Sequence, residues 1–167
     1  MKVIYSAKCK SPVGNLFLAS TENGLCALQM FEDDFDPVKW AIKFYPEYKM
    51  EDYHQVLDDA VDQLSGYFCG YLKKFEIPLD LQGTEFQKKV WNELLNIPYG
   101  ETRSYKEIAE KICNPKAMRS VGQANNKNPI GIIIPCHRVI GSSGKLVGYA
   151  GGIEKKSCLL ALEQSYS

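Results

Sequence analysis

The chain has 167 residues and a mass of 18.8 kDa, and its 20 Lys and Arg residues balance 20 Asp and Glu residues. Hydrophobic residues make up 45% of the sequence, close to the average of globular domains and enough for a sizeable core. No apolar stretch reaches the roughly 18 residues of a membrane span, and no secretory segment precedes the first strand-like residues. We therefore expect a soluble cytoplasmic protein without a membrane partner.

Charge divides unevenly along the chain. Residues 1–80 hold 8 basic and 13 acidic side chains, a net charge of −5, and residues 81–167 hold 12 basic and 7 acidic ones, a net charge of +5. A polyanion is therefore expected to meet the second half. The six cysteines form no C-x-x-C pair and there are only two histidines, so the sequence predicts no metal site and no cofactor.

The first half, residues 1–80, predicts a domain with antiparallel strands. Turn residues separate three short strands, which favours a meander. The predicted strands are Val3–Tyr5, Leu16–Ala19 and Leu25–Met30. Asp36 can cap a short helix, and apolar spacing predicts an amphipathic helix over about 52–71. A further strand is predicted at Phe75–Ile77, before a connection over residues 78–83.

The second half, residues 81–167, predicts short helices with explicit start signals. Thr84 with Gln87, and Ser104 with Glu107, have the spacing of capping boxes. Asn114-Pro115 predicts another helix start, with Asn as the N-cap and a helix over about 115–127. Two helices separated by so tight a turn are typical of a helix-turn-helix.

The second helix of this pair has two distinct faces. Ala117, Val121 and Ala124 can pack inward, whereas a polar face carries Arg119, Gly122, Gln123 and Asn126. Between positions 103 and 145 there are 8 basic and only 2 acidic residues, which favours a nucleic-acid groove over a merely solvated face.

A potential nucleophile follows an apolar run near the centre of the second half. Ile132–Ile134 predicts a buried strand that ends at Pro135, and Cys136 comes directly after it. The next residues, His137 and Arg138, are the kind of neighbours that make a thiolate accessible at neutral pH. A buried structural cysteine is the alternative. Residues 141–144 predict a hairpin turn, residues 147–152 a glycine-rich loop, and residues 153–163 a helix.

Pro-Cys-His-Arg-Val at 135–139, followed by Gly-Tyr-Ala-Gly-Gly at 148–152, resembles the O6-alkylguanine-DNA alkyltransferases, also called methylated-DNA–protein-cysteine methyltransferases. The resemblance covers about residues 83–163 and includes Ser104-Tyr105 and Asn128-Pro129. It implies an α/β (α+β) protein. A ribonuclease-H-like α/β domain over 1–80 would precede a mostly helical winged helix-turn-helix domain over 81–167 that carries the active site.

The resemblance implies DNA repair in which the protein takes an alkyl group from O6 of guanine, or more weakly O4 of thymine, and is consumed in one turnover. Cys136 would accept the group, His137 would act as base through a bridging water, and Glu163 would orient the imidazole. Tyr105 would help to rotate the nucleotide and would donate a hydrogen bond to guanine. No cofactor is implied.

The partner implied is double-stranded DNA containing O6-alkylguanine, bound by a monomer through the recognition helix in the minor groove. Arg119 would fill the space of the flipped nucleotide, and Asn128 would order the turn before the active site. The N–H of Ala150 would meet O6, and the carbonyls of Cys136 and Val139 would receive the exocyclic amine. The other residues expected to bind DNA or the base are Gly122, Gln123, Arg138, Tyr149 and Gly151.

Three other classes of protein compete with this interpretation. A non-catalytic lesion binder of the alkyltransferase-like kind lacks the cysteine, so Cys136 argues against it. A cysteine hydrolase fits poorly, because neighbouring residues of an extended chain point to opposite faces, which separates Cys136 from His137. A plain transcription factor would leave the thiol without a purpose.

Overall fold

The chain divides into two units, Met1–Leu81 and Gln82–Ser167, in a computed structural model that describes all 167 residues. The expected α/β class is confirmed, since the first unit contains a sheet and the second is mostly helical. No helix combines the length and the apolar character that crossing a bilayer requires.

A four-stranded sheet forms the first unit, in the order β3-β2-β1-β4. The strands are β1 Lys2–Ser11, β2 Gly14–Thr21, β3 Gly24–Met30 and β4 Tyr48–Glu51. The predicted antiparallel meander of the first three strands is confirmed. The fourth strand was not predicted. It pairs with β1 in parallel, a contact between distant parts of the chain that local periodicity does not reveal.

Two helices accompany this sheet. Helix α1, Pro37–Phe44, begins where predicted, because the Asp36 carboxylate accepts hydrogen bonds from two backbone N–H groups of the first turn. Helix α2, Gln55–Phe68, is shorter than the predicted span of about 52–71, and its buried residues are Leu57, Ala60, Leu64 and Tyr67. Of the stripe that periodicity predicted (Val56, Ala60, Leu64, Phe68 and Tyr71), only Ala60 and Leu64 are buried, and Tyr71 is 89% exposed. The core of the unit includes Ile4, Phe17, Ala19, Cys26, Ala27, Ala41 and Tyr45.

The strand predicted at Phe75–Ile77 is wrong, because these residues lie in an irregular segment. The chain meets β3 slightly later, through a single bridge between Leu79 and Leu25. The N–H of Leu25 donates to the carbonyl of Pro78 at 2.8 Å. Gly24 allows this approach, since a Cβ there would lie 2.5 Å from the Pro78 oxygen.

Four helices form most of the second unit: α3 Glu85–Leu94, α4 Tyr105–Lys111, α5 Met118–Asn126 and α6 Ile153–Tyr166. Both predicted capping boxes are present, at the starts of α3 and α4. The indole N–H of Trp91 on α3 donates to the Ala124 carbonyl on α5 at 2.8 Å. This buried bond ties the supporting helix to the second helix of the helix-turn-helix.

Helix α5 starts later than predicted. Asn114 is not its N-cap and Pro115 is not its first residue, because the segment over 114–117 forms a turn in which the Ala117 N–H donates to the Asn114 carbonyl. Ala117 takes the N-cap position without a side-chain hydrogen bond. The Asn-Pro pair therefore marks the turn between the two helices.

The strand predicted at Ile132–Ile134 is also wrong. Residues 131–134 form a tight turn in which Ile132 has a φ of +69°, and Cys136–Arg138 then forms one turn of 3₁₀ helix. A β-branched residue with a left-handed backbone is a genuine outlier and costs free energy. Strand β6, Val139–Ile140, follows and pairs in parallel with β5, Arg103–Ser104. The turn over 141–144 therefore joins no antiparallel hairpin.

Candidate active site

The turn before Cys136 is held together by one asparagine. The Asn128 amide donates to the Ile134 carbonyl at 2.8 Å, and its oxygen accepts from the Ile130 N–H at 3.0 Å. Both isoleucines are fully buried, and the Ile134 carbonyl also accepts from the Cys136 N–H at 2.7 Å. The expected role of Asn128 in ordering this turn fits the observed contacts, and the turn delivers Cys136 to a fixed position.

The Cys136 thiol is buried, with 5% of the residue exposed. Burial raises the thiol pKa above its usual range, although a hydrogen bond with Asn128 and the charge of Lys156 partly oppose that rise. The direction is opposite to the thiolate expected from the sequence. The resting group is therefore a thiol, which needs a base before it can act as a nucleophile.

A potential base lies next to Cys136 in the chain. His137 is fully buried, and its Nε2 forms a short hydrogen bond with Glu163 Oε2 on α6. Burial lowers the imidazole pKa, the Glu163 carboxylate opposes this, and the charges of Arg138 and Lys156 add to the lowering. An ionised carboxylate only accepts hydrogen bonds, so Nε2 carries the proton and the buried Nδ1 keeps its lone pair. No protein group bonds to Nδ1.

Arg138 does not lie on the DNA-facing surface that the sequence suggested. Its side chain is 8% exposed, its Nε donates to Glu163 Oε1 at 2.6 Å, and its Nη1 donates to the Ile97 carbonyl at 2.7 Å. Burial raises the pKa of the Glu163 carboxyl, but hydrogen bonds and charges from His137 and Arg138 outweigh it and hold that pKa below its usual value. Glu163 is therefore an ionised acceptor shared by two donors.

Lys156 is a buried cation that the sequence analysis did not single out. It is 0% exposed, and its ammonium donates to the carbonyls of Val139 and Val147, the latter at 2.9 Å. Burial lowers its pKa, while the proximity of Cys136 raises it. Lys156 thus joins β6 to the glycine-rich loop and places a positive charge near the thiol.

Tyr105, the first residue of α4, closes the other side of this region. Its hydroxyl donates to the Val147 carbonyl at 2.9 Å, and burial raises its pKa. Gly148 has a φ of +63°, and a Cβ there would lie 3.1 Å from the Tyr105 oxygen. Only glycine brings the loop backbone so close without strain. Burial likewise raises the pKa of Tyr149 on the same loop.

The profile of the 6-O-methylguanine DNA methyltransferase DNA binding domain matches residues 85–165, and that of the ribonuclease-like domain matches residues 4–81. The methylated-DNA–protein-cysteine methyltransferase of Mycobacterium leprae is 49% identical over 97% of this chain and 93% of its own length. The chain belongs to this family. A relative of the same name from Methanosarcina acetivorans is 50% identical over 97% of this chain and 99% of its own length.

A solved structure agrees with the family assignment. The crystal structure of Mycobacterium tuberculosis OGT in complex with DNA superposes with a TM-score of 0.84 at 48% identity, covering 98% of this chain and 94% of that one. Family membership excludes the cysteine-hydrolase alternative. The extended chain expected at Cys136 and His137 is absent, because both residues lie in one turn of 3₁₀ helix, in which successive side chains diverge by about 120°.

In this methyltransferase, the polar face of α5 lies where the sequence predicted it. Arg119 and Gln123 are exposed, while Val121 and Ala124 are buried. Gly122 is half-buried beside the Tyr105 ring, to which a Cβ at that position would make an ordinary contact at 3.8 Å. The α5 face therefore runs from open solvent toward the residues around Cys136.

The predicted base-binding groups of the methyltransferase are occupied by internal partners. The Val139 carbonyl accepts from Lys156, and the Cys136 carbonyl accepts from the Asn125 amide at 3.4 Å. The Val139 N–H also donates to the Cys136 carbonyl, so both lone pairs of that oxygen are used and a further donor would have to displace or share one of them. Ala150 and Gly151 lie exposed in the loop that precedes α6.

Sequence reasoning missed Lys156 and Asn125, and a signal for Lys156 was present. Lys156, Leu159 and Glu163 are spaced i, i+3, i+7 on α6 and are the buried residues of that helix. Two ionisable residues in register with an apolar stripe are costly to bury and so indicate a site. Asn125 carries a weaker signal of the same kind, because it lies four residues after Val121 and next to Ala124 on the buried side of α5.

Proposed function

We propose that this protein repairs DNA by moving the alkyl group from O6 of guanine to the sulfur of Cys136, and more weakly from O4 of thymine. Family membership supplies the reaction class. The observation that carries the assignment to Cys136 is the buried His137–Glu163 hydrogen bond beside a buried thiol whose pKa burial raises. Such a thiol does nothing unless a base takes its proton, and His137 keeps one ring nitrogen available for that step.

The atoms of the transfer balance without a cofactor. The thiol proton passes to His137 Nδ1, directly or through one water, and the imidazolium is stabilised by Glu163. The sulfur forms a bond to the alkyl carbon while the carbon–oxygen bond breaks, and its electron pair stays on the guanine. The proton removed from the thiol is the proton that the released guanine requires, and the Tyr105 hydroxyl is the donor placed to assist its delivery.

The protein acts once. The product is a thioether, and because a thiolate is a poor leaving group from an alkyl carbon, the side chains around Cys136 do not regenerate the thiol. Each molecule therefore removes one alkyl group and is consumed.

The reaction requires that the damaged nucleotide leave the duplex, since O6 lies within the base stack. The exposed face of α5 enters the minor groove, with Gln123 at the backbone and Gly122 allowing close approach. Arg119 fills the vacated space, which offsets part of the few kcal/mol that unstacking costs. The protein binds as a monomer, and double-stranded DNA containing O6-alkylguanine is its partner.

The flipped base enters beside the glycine-rich loop. The Ala150 N–H meets O6, the Cys136 and Val139 carbonyls accept the exocyclic amine, and Tyr149 and Gly151 line the same loop. Tyr105 now donates to the Val147 carbonyl, so its hydroxyl turns from the loop to the guanine as the base arrives.

Intact-mass measurement after incubation with a duplex containing O6-methylguanine tests the proposal. We expect one added methyl group per protein molecule, located on Cys136 by peptide mapping, and no further gain on prolonged incubation. Cys136→Ser should abolish the gain while retaining DNA binding, and Cys158→Ser, which alters an exposed cysteine, serves as the matched control. A methyl group on any other cysteine, or repeated turnover, would overturn the assignment.

A further inference from the structure

Two side chains and one backbone N–H share one buried carboxylate in the second unit. Glu163 gives Oε2 to His137 and Oε1 to the Arg138 guanidinium. The backbone N–H of Gly100 also approaches Oε1, at 3.3 Å. Both oxygens are therefore used, and both residues that donate from side chains come from the same 3₁₀ turn as Cys136.

Arg138 is fixed independently of Glu163. Its Nη1 donates to the Ile97 carbonyl at 2.7 Å, and its guanidinium carbon lies 5.7 Å from the centre of the Tyr99 ring. A cation held from two sides keeps its charge beside Glu163 whatever the protonation state of His137, because an arginine does not lose its proton in proteins.

The charges of this cluster balance in one protonation state only. With Arg138 positive and Glu163 negative, the buried group is neutral when His137 is neutral, and protonating the imidazole leaves an excess positive charge in a region of low dielectric. The Lys156 ammonium from α6 adds to that penalty. Without Arg138, a neutral His137 would leave the buried negative charge of Glu163 uncompensated. Protonation of His137 would then be favoured, because the imidazolium would neutralise that carboxylate.

We propose that Arg138 is a positioning residue for alkyl transfer: its pairing with Glu163 keeps His137 neutral, so that Nδ1 is free to accept the proton of Cys136. The inference rests on the proposed function for its catalytic consequence. The charged groups that act on His137 are Glu163 and Lys156 from α6 and Arg138 from its own turn, while Tyr99, after α3, interacts with Glu163 and Arg138.

Nitrogen NMR of the imidazole rings tests this directly, since the chain has only two histidines. In a His54→Gln background, which leaves one histidine, we expect the neutral Nε2–H form of His137 at pH 7. Arg138→Met should convert it to the imidazolium at the same pH. Arg138→Lys retains the charge and should keep the imidazole neutral, a rescue that a purely steric role of the guanidinium does not predict.

Activity supplies the second readout. Removing a charge that lies within about 4–6 Å of an ionisable group changes the pKa of that group by about one unit or more. A change of one pKa unit alters the protonated-to-neutral ratio about tenfold. The ratio of single-turnover transfer rates at pH 6 and pH 8 should therefore fall about tenfold in Arg138→Met relative to wild type. The rate of Arg138→Lys should follow the wild-type profile.

The double variant Arg138→Met/Glu163→Gln guards against misfolding, because it leaves no unpaired charge in the cluster. We expect its His137 to be neutral at pH 7 even though two hydrogen bonds to the carboxylate are altered. An imidazolium in the double variant, or a neutral imidazole in folded Arg138→Met, would overturn the proposal. Failure of wild-type protein to methylate Cys136 would refute the proposed function instead, and would leave the NMR result standing.

Discussion

Replacing Asn128 by alanine should destabilise the second unit more than any exposed polar substitution. The change removes the side-chain partner of the Ile130 N–H and one of the two donors to the Ile134 carbonyl, which keeps the Cys136 N–H at 2.7 Å. A buried N–H left without a partner costs about 1–3 kcal/mol and a lost hydrogen bond about 1 kcal/mol, so the loss should total about 2–4 kcal/mol. Native domains are stable by only about 5–15 kcal/mol, so this is a large fraction of the total.

Urea unfolding followed by tryptophan fluorescence measures the loss. Trp40 lies in the first unit and Trp91 in the second, so a Trp40→Phe background reports the second unit alone and does not require the two units to unfold together. Asn126→Ala is the matched control, since Asn126 is exposed and should cost less than about 0.5 kcal/mol. Hydrogen exchange of the Ile130 amide should accelerate in Asn128→Ala only. A loss below about 0.5 kcal/mol with unchanged Ile130 protection would refute this reasoning.

Three further outcomes follow from the charges of the second unit. Lowering the pH from 8 to 5 should reduce the unfolding temperature, because the unfolded chain binds protons on His137 and Glu163 at a higher pH than the folded chain does. His137→Gln should weaken this dependence of the unfolding temperature on pH, and His54→Gln should leave it unchanged. The affinity for undamaged duplex should fall as salt rises, since residues 81–167 carry a net charge of +5, and a salt-independent affinity would contradict the proposed interface. Arg119→Ala should slow single-turnover repair of duplex at saturating protein more than reaction with free O6-alkylguanine base, whereas an unchanged bound-state rate would make Arg119 a phosphate anchor.

Local signals predicted the starts of α3 and α4, although not that of α5. The capping boxes of Thr84 and Ser104 are both formed, because each depends on residues only three positions apart. Strand β4 and the irregular segment at Phe75–Ile77 were predicted wrongly because strand formation depends on distant residues. A short run becomes a strand only where it can pair with the free edge of another strand, and β4 pairs with the edge of β1.

The incorrect strand prediction at Ile132–Ile134 concerns the turn that directly precedes the proposed nucleophile, Cys136. Three isoleucines in a row favour a strand, yet the hydrogen bonds of Asn128 hold this run in a turn and force Ile132 to a φ of +69°. This strain falls in the turn that leads into Cys136, where a departure from local preference is most expected; the other non-glycine residue with a positive φ, Cys113, lies between α4 and α5. An extended chain would carry Cys136 away from the turn that Asn128 closes.

Arg138 shows why the catalytic motif could be identified from the sequence although its arrangement could not. In the Pro-Cys-His-Arg-Val run, a cation next to a cysteine predicts a lowered thiol pKa and an exposed, DNA-facing guanidinium. In the folded protein, the Arg138 guanidinium instead pairs with Glu163, which lies 25 residues away on α6. The Cys136 thiol remains protonated. Nothing in the local sequence distinguishes a cation that faces a thiol from one that neutralises the partner of the base. The position of Glu163, set by how α6 packs on the 3₁₀ turn, is what supports the proposal that the motif works through His137 as a base and not through a resting thiolate.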